Sequence, residues 1–138
     1  MPNNELADRV GLSPSPCLRR VRALEADGTI RGYTAVLDES AVGCDYEPLV
    51  WVTLAAVTRA TMLEFESAVA SIPNITEVNR MMGQPDYLLR VVTADADEFE
   101  ALYIDVLAGL PHVQTLTSQL SMKRVKRTHA LPIGPAAG

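Results

Sequence analysis

Leu6-Ala7-Asp8-Arg9-Val10-Gly11-Leu12-Ser13-Pro14-Ser15-Pro16-Cys17-Leu18-Arg19-Arg20-Val21-Arg22-Ala23-Leu24-Glu25-Ala26-Asp27-Gly28-Thr29-Ile30 reads as a short helix, a tight turn, a longer basic helix and a stop. Gly11 can take the positive φ that a tight interhelical turn needs, and Gly28 can end the second helix in the left-handed region. Ser13 is placed to cap that helix and Pro14 suits its first position. Leu18, Val21 and Leu24 form an apolar stripe at i, i+3 and i+6, which needs Leu6, Val10, Leu12 and Ile30 to cover it. Ser15, Pro16, Arg19 and Arg20 lie in the amino-terminal half and mostly off the stripe. One reading is an amphipathic helix with a solvated basic face. The other is a recognition helix, whose amino-terminal residues reach base edges while arginines serve guanine edges or phosphates. Cap, turn glycine and stop glycine together favour the second reading. Ser13, Ser15, Pro16, Arg19, Arg20 and Arg22 are then the expected contacts to double-stranded DNA, with Arg31 and Gly32-Tyr33 added from a short strand or wing.

The charge is divided along the chain. Net charge is −5 overall, made up of +1 over residues 1–35, −10 over 36–112 and +4 over 113–138. An acidic middle repels a polyanion, so nucleic-acid contact is expected at the amino-terminal unit, with the basic carboxy-terminal run Lys123-Arg124-Val125-Lys126-Arg127 as a second possible place. Hydrophobic residues make up 48% of the 138, enough for a real core in one or two small domains. No apolar run approaches a membrane span and nothing at the start reads as a signal peptide, so a cytoplasmic location is expected. Cys17 and Cys44 have neither metal-ligand spacing nor disulfide logic.

A second feature is an internal repeat with an offset of 38 residues. Leu49-Val50-Trp51-Val52-Thr53-Leu54 falls on Tyr87-Leu88-Leu89-Arg90-Val91-Val92, and Ala68 to Ile75 falls on Val106 to Val113. Met62, Phe65, Val69 and Ile72 recur at helical spacing in the first half, and Phe99, Leu102, Val106, Leu107 and Leu110 do so in the second. With strands expected at 75–82 and 113–125, the halves give β-α-β-β-α-β. That is an α+β, ferredoxin-like plan with both helices on one face of an antiparallel sheet. The other face, with Trp51, needs a cover, and a second copy of the sheet is the simplest one, so a homodimer is expected.

Met81-Met82-Gly83-Gln84-Pro85-Asp86-Tyr87 joins the middle strands. Its composition suits a plain hairpin turn, and it equally suits a seat for a small zwitterion, with Asp86 facing the ammonium group and backbone amides facing the carboxylate. No catalytic residues are expected: no serine has a nucleophile-elbow context, Asp86 lacks an acid/base partner, and Asp95-Ala96-Asp97-Glu98 reads as an acidic helix start.

Glu5-Leu6-Ala7 through Gly11-Leu12-Ser13, then Arg20-Val21-Arg22, Leu24-Glu25, Gly28, Ile30 and Gly32-Tyr33, resembles the winged helix-turn-helix of the leucine-responsive/asparagine regulator (Lrp/AsnC) family. Gly83-Gln84-Pro85-Asp86-Tyr87 resembles that family's Gly-x-x-Asp-Tyr turn, Leu110-Pro111-His112-Val113 its Leu-Pro-Gly-Val, and Met122 to Lys126 its closing strand. The likeness covers residues 4 to 128. It implies an amino-acid-responsive, DNA-binding transcription regulator without a metal or other cofactor, whose carboxy-terminal domain dimerises and assembles further to tetramers or octamers. The effector would bind between dimers, at Arg80, Met81, Gly83, Gln84, Pro85, Asp86 and Tyr87, with Ser118 in support. Relatives often carry Thr-x-Thr where this chain has Leu116-Thr117-Ser118, which removes one hydroxyl, and His112 stands where they have glycine. The expected domains are a partial winged helix-turn-helix at 1–36, a linker at 37–47, the ferredoxin-like domain at 48–128 and a flexible tail at 129–138. The word partial reflects the family's further helix before the position of Pro2; without it Leu6, Val10, Leu18 and Leu24 lack a wall, and open apolar surface costs about 25 cal/mol per Å². The alternative to a DNA-binding regulator is therefore an amino-acid sensor or assembly modulator that does not itself bind DNA and acts in mixed oligomers with full-length paralogues.

Overall fold

The computed structural model describes residues 1–134, so the last four residues of the expected tail lie outside the described residues. The chain divides between Leu37 and Asp38 into two compact units.

The first unit holds α1 (Asn3–Arg9) and α2 (Pro14–Ala26). Gly11 and Gly28 have φ of +67° and +80°, as the turn and the stop require. Ser13 sits at the N-cap with extended backbone, yet its hydroxyl makes no cap bond. A cap oxygen serves the amide of the second or third helical residue, and the third here is Pro16, which has none, so the Ser15 amide is the one donor left to it. Only Ala7 and Cys17 are fully buried in this unit. Val10, Leu18 and Leu24 remain 54%, 38% and 40% exposed, so the apolar stripe is only partly covered. Residues 31–37 form no strand, so the short strand expected at Arg31 and Gly32-Tyr33 is absent; a strand needs a partner edge, and the unit offers none among the described residues. Tyr33 is tied back to α2 instead, its hydroxyl donating to Glu25 Oε1 at 2.7 Å.

The second unit contains β1 (Pro48–Leu54), α3 (Arg59–Ala70), β2 (Ile75–Arg80), β3 (Tyr87–Val91), α4 (Ala96–Asp105), a 3₁₀ turn at Leu107–Gly109 and β4 (Val113–Leu120). All strand pairs are antiparallel in the order β2-β3-β1-β4. β2 and β4 begin at Ile75 and Val113, which carries the repeat's offset directly into the fold. Alternation in β1 sends Val50, Val52 and Leu54 into a core with Phe65, Val69, Leu89, Val91 and Leu107. Thr58 and Asp95 cap α3 and α4, accepting from the amides of Thr61 and Glu98. The opposite face carries Leu49, Trp51 and Leu88, in register with Arg90, Thr117 and Gln119. No described helix of this unit covers it, and the Trp51 indole donates to Gln119 Oε1 at 2.9 Å.

Two expectations are corrected at strand ends. β2 stops at Arg80 rather than at Met82 because Met81 and Met82 already belong to the hairpin. β4 stops at Leu120, so Met122 to Lys126 is not a strand; its Arg124 pairs instead with Glu39 and Glu47 of the segment before β1. No described helix is long and apolar enough to cross a membrane.

Candidate nucleic-acid interface and effector hairpin

In α2, Ser15, Arg19 and Arg22 recur at i, i+4 and i+7 on one exposed face, with Arg20 beside them and half-buried Pro16 at their edge. Arg31 follows just past the Gly28 stop and is also exposed, as is Ser13. Among the described residues, Arg19, Arg20, Arg22 and Arg31 form no ion pair, whereas Arg9 is held by Glu5 one helical turn away at 2.7 Å. Four solvated guanidiniums with no acidic partner form a cationic face suited to phosphate oxygens and guanine edges. Asp27, on the far end, turns inward on the stop: its carboxylate accepts from the Thr29 amide at 2.9 Å, which holds it below the usual carboxylate range.

The hairpin between β2 and β3 exposes Met81, Met82, Gly83 and Gln84, with Gly83 at φ +96° and Gln84–Pro85 cis. Its closing residue is fixed three ways. The Asp86 amide donates to the Val52 carbonyl at 2.8 Å, the Asp86 carbonyl accepts from the Met81 amide at 2.7 Å, and Asp86 Oδ2 accepts from the Leu54 amide at 2.8 Å. Asp86 is buried, and its other oxygen accepts no hydrogen bond among the described residues. The carboxylate therefore locks the hairpin to the end of β1 first, and has one oxygen left for anything else.

Arg80 and Tyr87 are brought together by β2–β3 pairing. The ring of Tyr87 is a core residue, packed on Phe65 with centroids 4.6 Å apart. Its hydroxyl emerges at Glu66 Oε1, 2.7 Å away, and Arg80 Nε donates to the same oxygen at 2.7 Å. Burial, then the bond to Glu66, pushes the Tyr87 phenol up to about 12. The Tyr87 and Arg80 donors hold Glu66 below the usual carboxylate range. These three residues flank a cleft of about 380 Å³ floored by Val69, Ala70 and Val78. Glu66 escaped the sequence reading because only the fold brings α3 beside β2; a glutamate at that helical position carries no motif. Ser118 is not part of this group within one chain. It lies exposed on β4, and β1 stands between β4 and β3.

A helix-turn-helix with a free basic face, followed by a ferredoxin-like unit with a locked Gly-x-x-Asp-Tyr hairpin, defines a two-part regulator rather than a single-site protein. Residues 1–31 match the winged helix-turn-helix DNA-binding family and residues 48–131 the Lrp/AsnC ligand binding domain family. The leucine-responsive regulatory protein of Rhizobium meliloti (strain 1021) is 40% identical over 124 residues, which is 90% of this chain and 80% of that protein. An AsnC family transcriptional regulator from Agrobacterium tumefaciens superposes with a TM-score of 0.88 at 34% identity, covering 96% of this chain and 86% of the other. A transcriptional regulator from Neisseria meningitidis, solved as a complex with L-Met, superposes with a TM-score of 0.90 at 32% identity over 96% and 85% of the two chains. The chain belongs to the Lrp/AsnC family of transcriptional regulators.

Proposed function

We propose that this chain regulates transcription by binding operator DNA through α2 and by sensing an amino acid at the β2–β3 hairpin of an assembled sheet domain. The observation that carries the DNA half is the unpaired arginine face: Arg19, Arg20, Arg22 and Arg31 are exposed without an acidic partner, on and just past a helix entered by the Gly11 turn. Ser13, Ser15 and Pro16 stand at the amino-terminal end, where a recognition helix meets base edges.

On the sensing side, Met81, Gly83, Gln84 and Pro85 form the seat, and Asp86 keeps it in shape through Leu54 while offering its second oxygen to an ammonium group. Arg80 and the Tyr87 hydroxyl supply donors nearby, preset by Glu66. The L-Met complex of the Neisseria relative supports an amino acid as the ligand class. Ser118 joins only from another copy, consistent with an effector held between dimers. The open face of Leu49, Trp51 and Leu88 is the dimerisation surface, and further assembly to tetramers or octamers converts effector binding into altered operator binding. The role is regulatory, not catalytic, and the protein works in the cytoplasm.

Gel-shift titration of the full chain against operator fragments at several salt concentrations, with and without each amino acid, tests this reading. Specific, salt-sensitive binding that one amino acid changes is the expected result. Binding that is equal on all sequences, or unchanged in a variant with Arg19, Arg20 and Arg22 all replaced by Ala, refutes it.

A further inference from the structure

The turn that opens the second unit is held to the rest of it through ion pairs. Residues 38–44 fold back on themselves: the Val42, Gly43 and Cys44 amides donate to the carbonyls of Asp38, Ser40 and Glu39, and the Ala41 amide donates to Asp38 Oδ1. Every one of these bonds is local. Backbone attachment to the sheet domain begins at Tyr46, which exchanges two bonds with Thr93 at 2.9 and 3.1 Å. Upstream of Tyr46, the described polar contacts that reach out of the turn are those of Glu39, paired with Arg124 at 3.3 Å and with Arg127 at 2.5 Å. Arg124 also pairs with Glu47, which pairs with Arg90 at 3.5 Å. The attraction of Glu47, then of Glu39, raises the Arg124 guanidinium above its already high value.

The paired groups surround an open cleft of about 890 Å³ rather than a packed core; Glu39, Cys44, Glu47, Arg90, Arg124 and Arg127 line it. An apolar interface survives salt, whereas partly exposed pairs around an open cleft are screened by it, the Debye length falling from about 10 Å at 0.1 M to about 3 Å at 1 M. The segment so held is the first of the second unit, which begins at Asp38.

We propose that residues 121–127 are an electrostatic strap: Arg124 and Arg127 clasp Glu39 and Glu47, and opening of this clasp by salt frees the 38–44 turn at the start of the second unit.

Hydrogen exchange of the full chain, read at the amides of Val42, Gly43 and Cys44 in 50 mM and 500 mM KCl, tests it, with the β1 and β3 amides as internal reference. The strap requires exchange in the turn to rise with salt while the reference stays protected. Replacing Arg124 and Arg127 together by Gln raises turn exchange at low salt by about fivefold, the order of two weak partly exposed pairs, and abolishes its salt response. The E39Q/E47Q variant does the same. Replacing Lys123 and Lys126 by Gln changes charge equally but removes neither clasp, and leaves the turn closed. A turn indifferent to the arginine change, an equal response to the lysine change, or β1 and β3 opening together with the turn would each overturn the proposal.

Discussion

The two units use most of their arginines in opposite ways. In the first, Arg19, Arg20, Arg22 and Arg31 stand in solvent without an ion pair among the described residues and only Arg9 is paired, while in the second Arg80, Arg90, Arg124 and Arg127 are each engaged by glutamates and only Arg59 is not. The cores differ as well: two small residues, Ala7 and Cys17, are buried in the first unit, against a cluster of Val, Leu, Phe and Tyr in the second. The difference teaches where stability and function are stored. Unpaired arginines add little to a fold but are ready for an external polyanion, whereas paired ones have their charge already answered. The second unit holds itself together, and the first is arranged to hold something else.

The comparison breaks most severely at Phe65. It is fully buried among Val52, Val69, Leu89 and Leu107 and stacks on Tyr87. Phe65→Ala should destabilise the second unit by about 3–5 kcal/mol, read as a lower denaturant midpoint from the Trp51 signal. A change under about 1 kcal/mol would mean that the core is not organised around this ring.

At Arg20 the comparison is tested for function instead. Arg20→Ala should weaken operator binding about tenfold or more if the side chain reads a base, and lower the slope of log K against log salt by about one if it meets a phosphate. The melting curve should not move. Arg90→Ala, which breaks the pairs with Glu47 and Glu77, is the matched control and should leave DNA binding unchanged. Equal loss of binding in both variants would erase the division between free and engaged arginines.

Asp86→Ala removes the acceptor of the buried Leu54 amide and should cost about 1–3 kcal/mol in the second unit, on top of any loss of effector response. Asp86→Asn sharpens the result: the amide oxygen can still accept from Leu54, so stability returns while an ammonium-binding charge does not. If Asn restored the amino-acid response too, the carboxylate's role would be confined to holding the hairpin.

Much of this arrangement was legible in the sequence. The helix-turn-helix could be read because Gly11 and Gly28 are local requirements, met at φ +67° and +80°, and the β-α-β repeat because its apolar spacing recurs. What escaped was long-range or competitive. Glu66 meets Arg80 and Tyr87 only after α3 docks on the β2 edge. Ser118, assigned by resemblance to a site between dimers, is separated from the hairpin by β1 within one chain. The strand expected at Met122 to Lys126 yields to ion pairs with Glu39 and Glu47, partners more than seventy residues earlier in the chain. Ser13 stands at the N-cap without a side-chain cap bond, and Pro16 takes away one of the two amides that could have served it.

Tyr87 carries the pH dependence of the engaged side. Its phenol pKa is raised to about 12 from an ordinary 10, chiefly by burial and next by Glu66, so the folded state keeps the proton more tightly than the unfolded chain. The resulting stability is fully present below about pH 10 and is lost as pH rises toward 12. Tyr87→Phe retains the ring against Phe65 and should flatten this alkaline step in an unfolding-versus-pH series, at a cost near neutral pH of about 1 kcal/mol for the lost hydroxyl bond. A variant with an unchanged alkaline step would move the titration to another group.

The smallest expected effect lies at His112. Gly11 and Gly28 fill the left-handed positions of the first unit and Gly43 and Gly83 those of the second, but His112 stands at φ +63° in the turn before β4. A non-glycine residue there costs about 1 kcal/mol in backbone strain, and the contact of His112 Nε2 with Glu64 Oε2 at 2.6 Å offsets part of it. His112→Gly and His112→Ala both delete that contact, so the difference between them isolates the backbone. Gly should be the more stable by up to about 1 kcal/mol, less a few tenths for its greater freedom when unfolded. If Ala equalled or exceeded Gly, the turn would tolerate a side chain without strain. The glycine rule met at Gly11, Gly28, Gly43 and Gly83 would then not extend to the turn before β4.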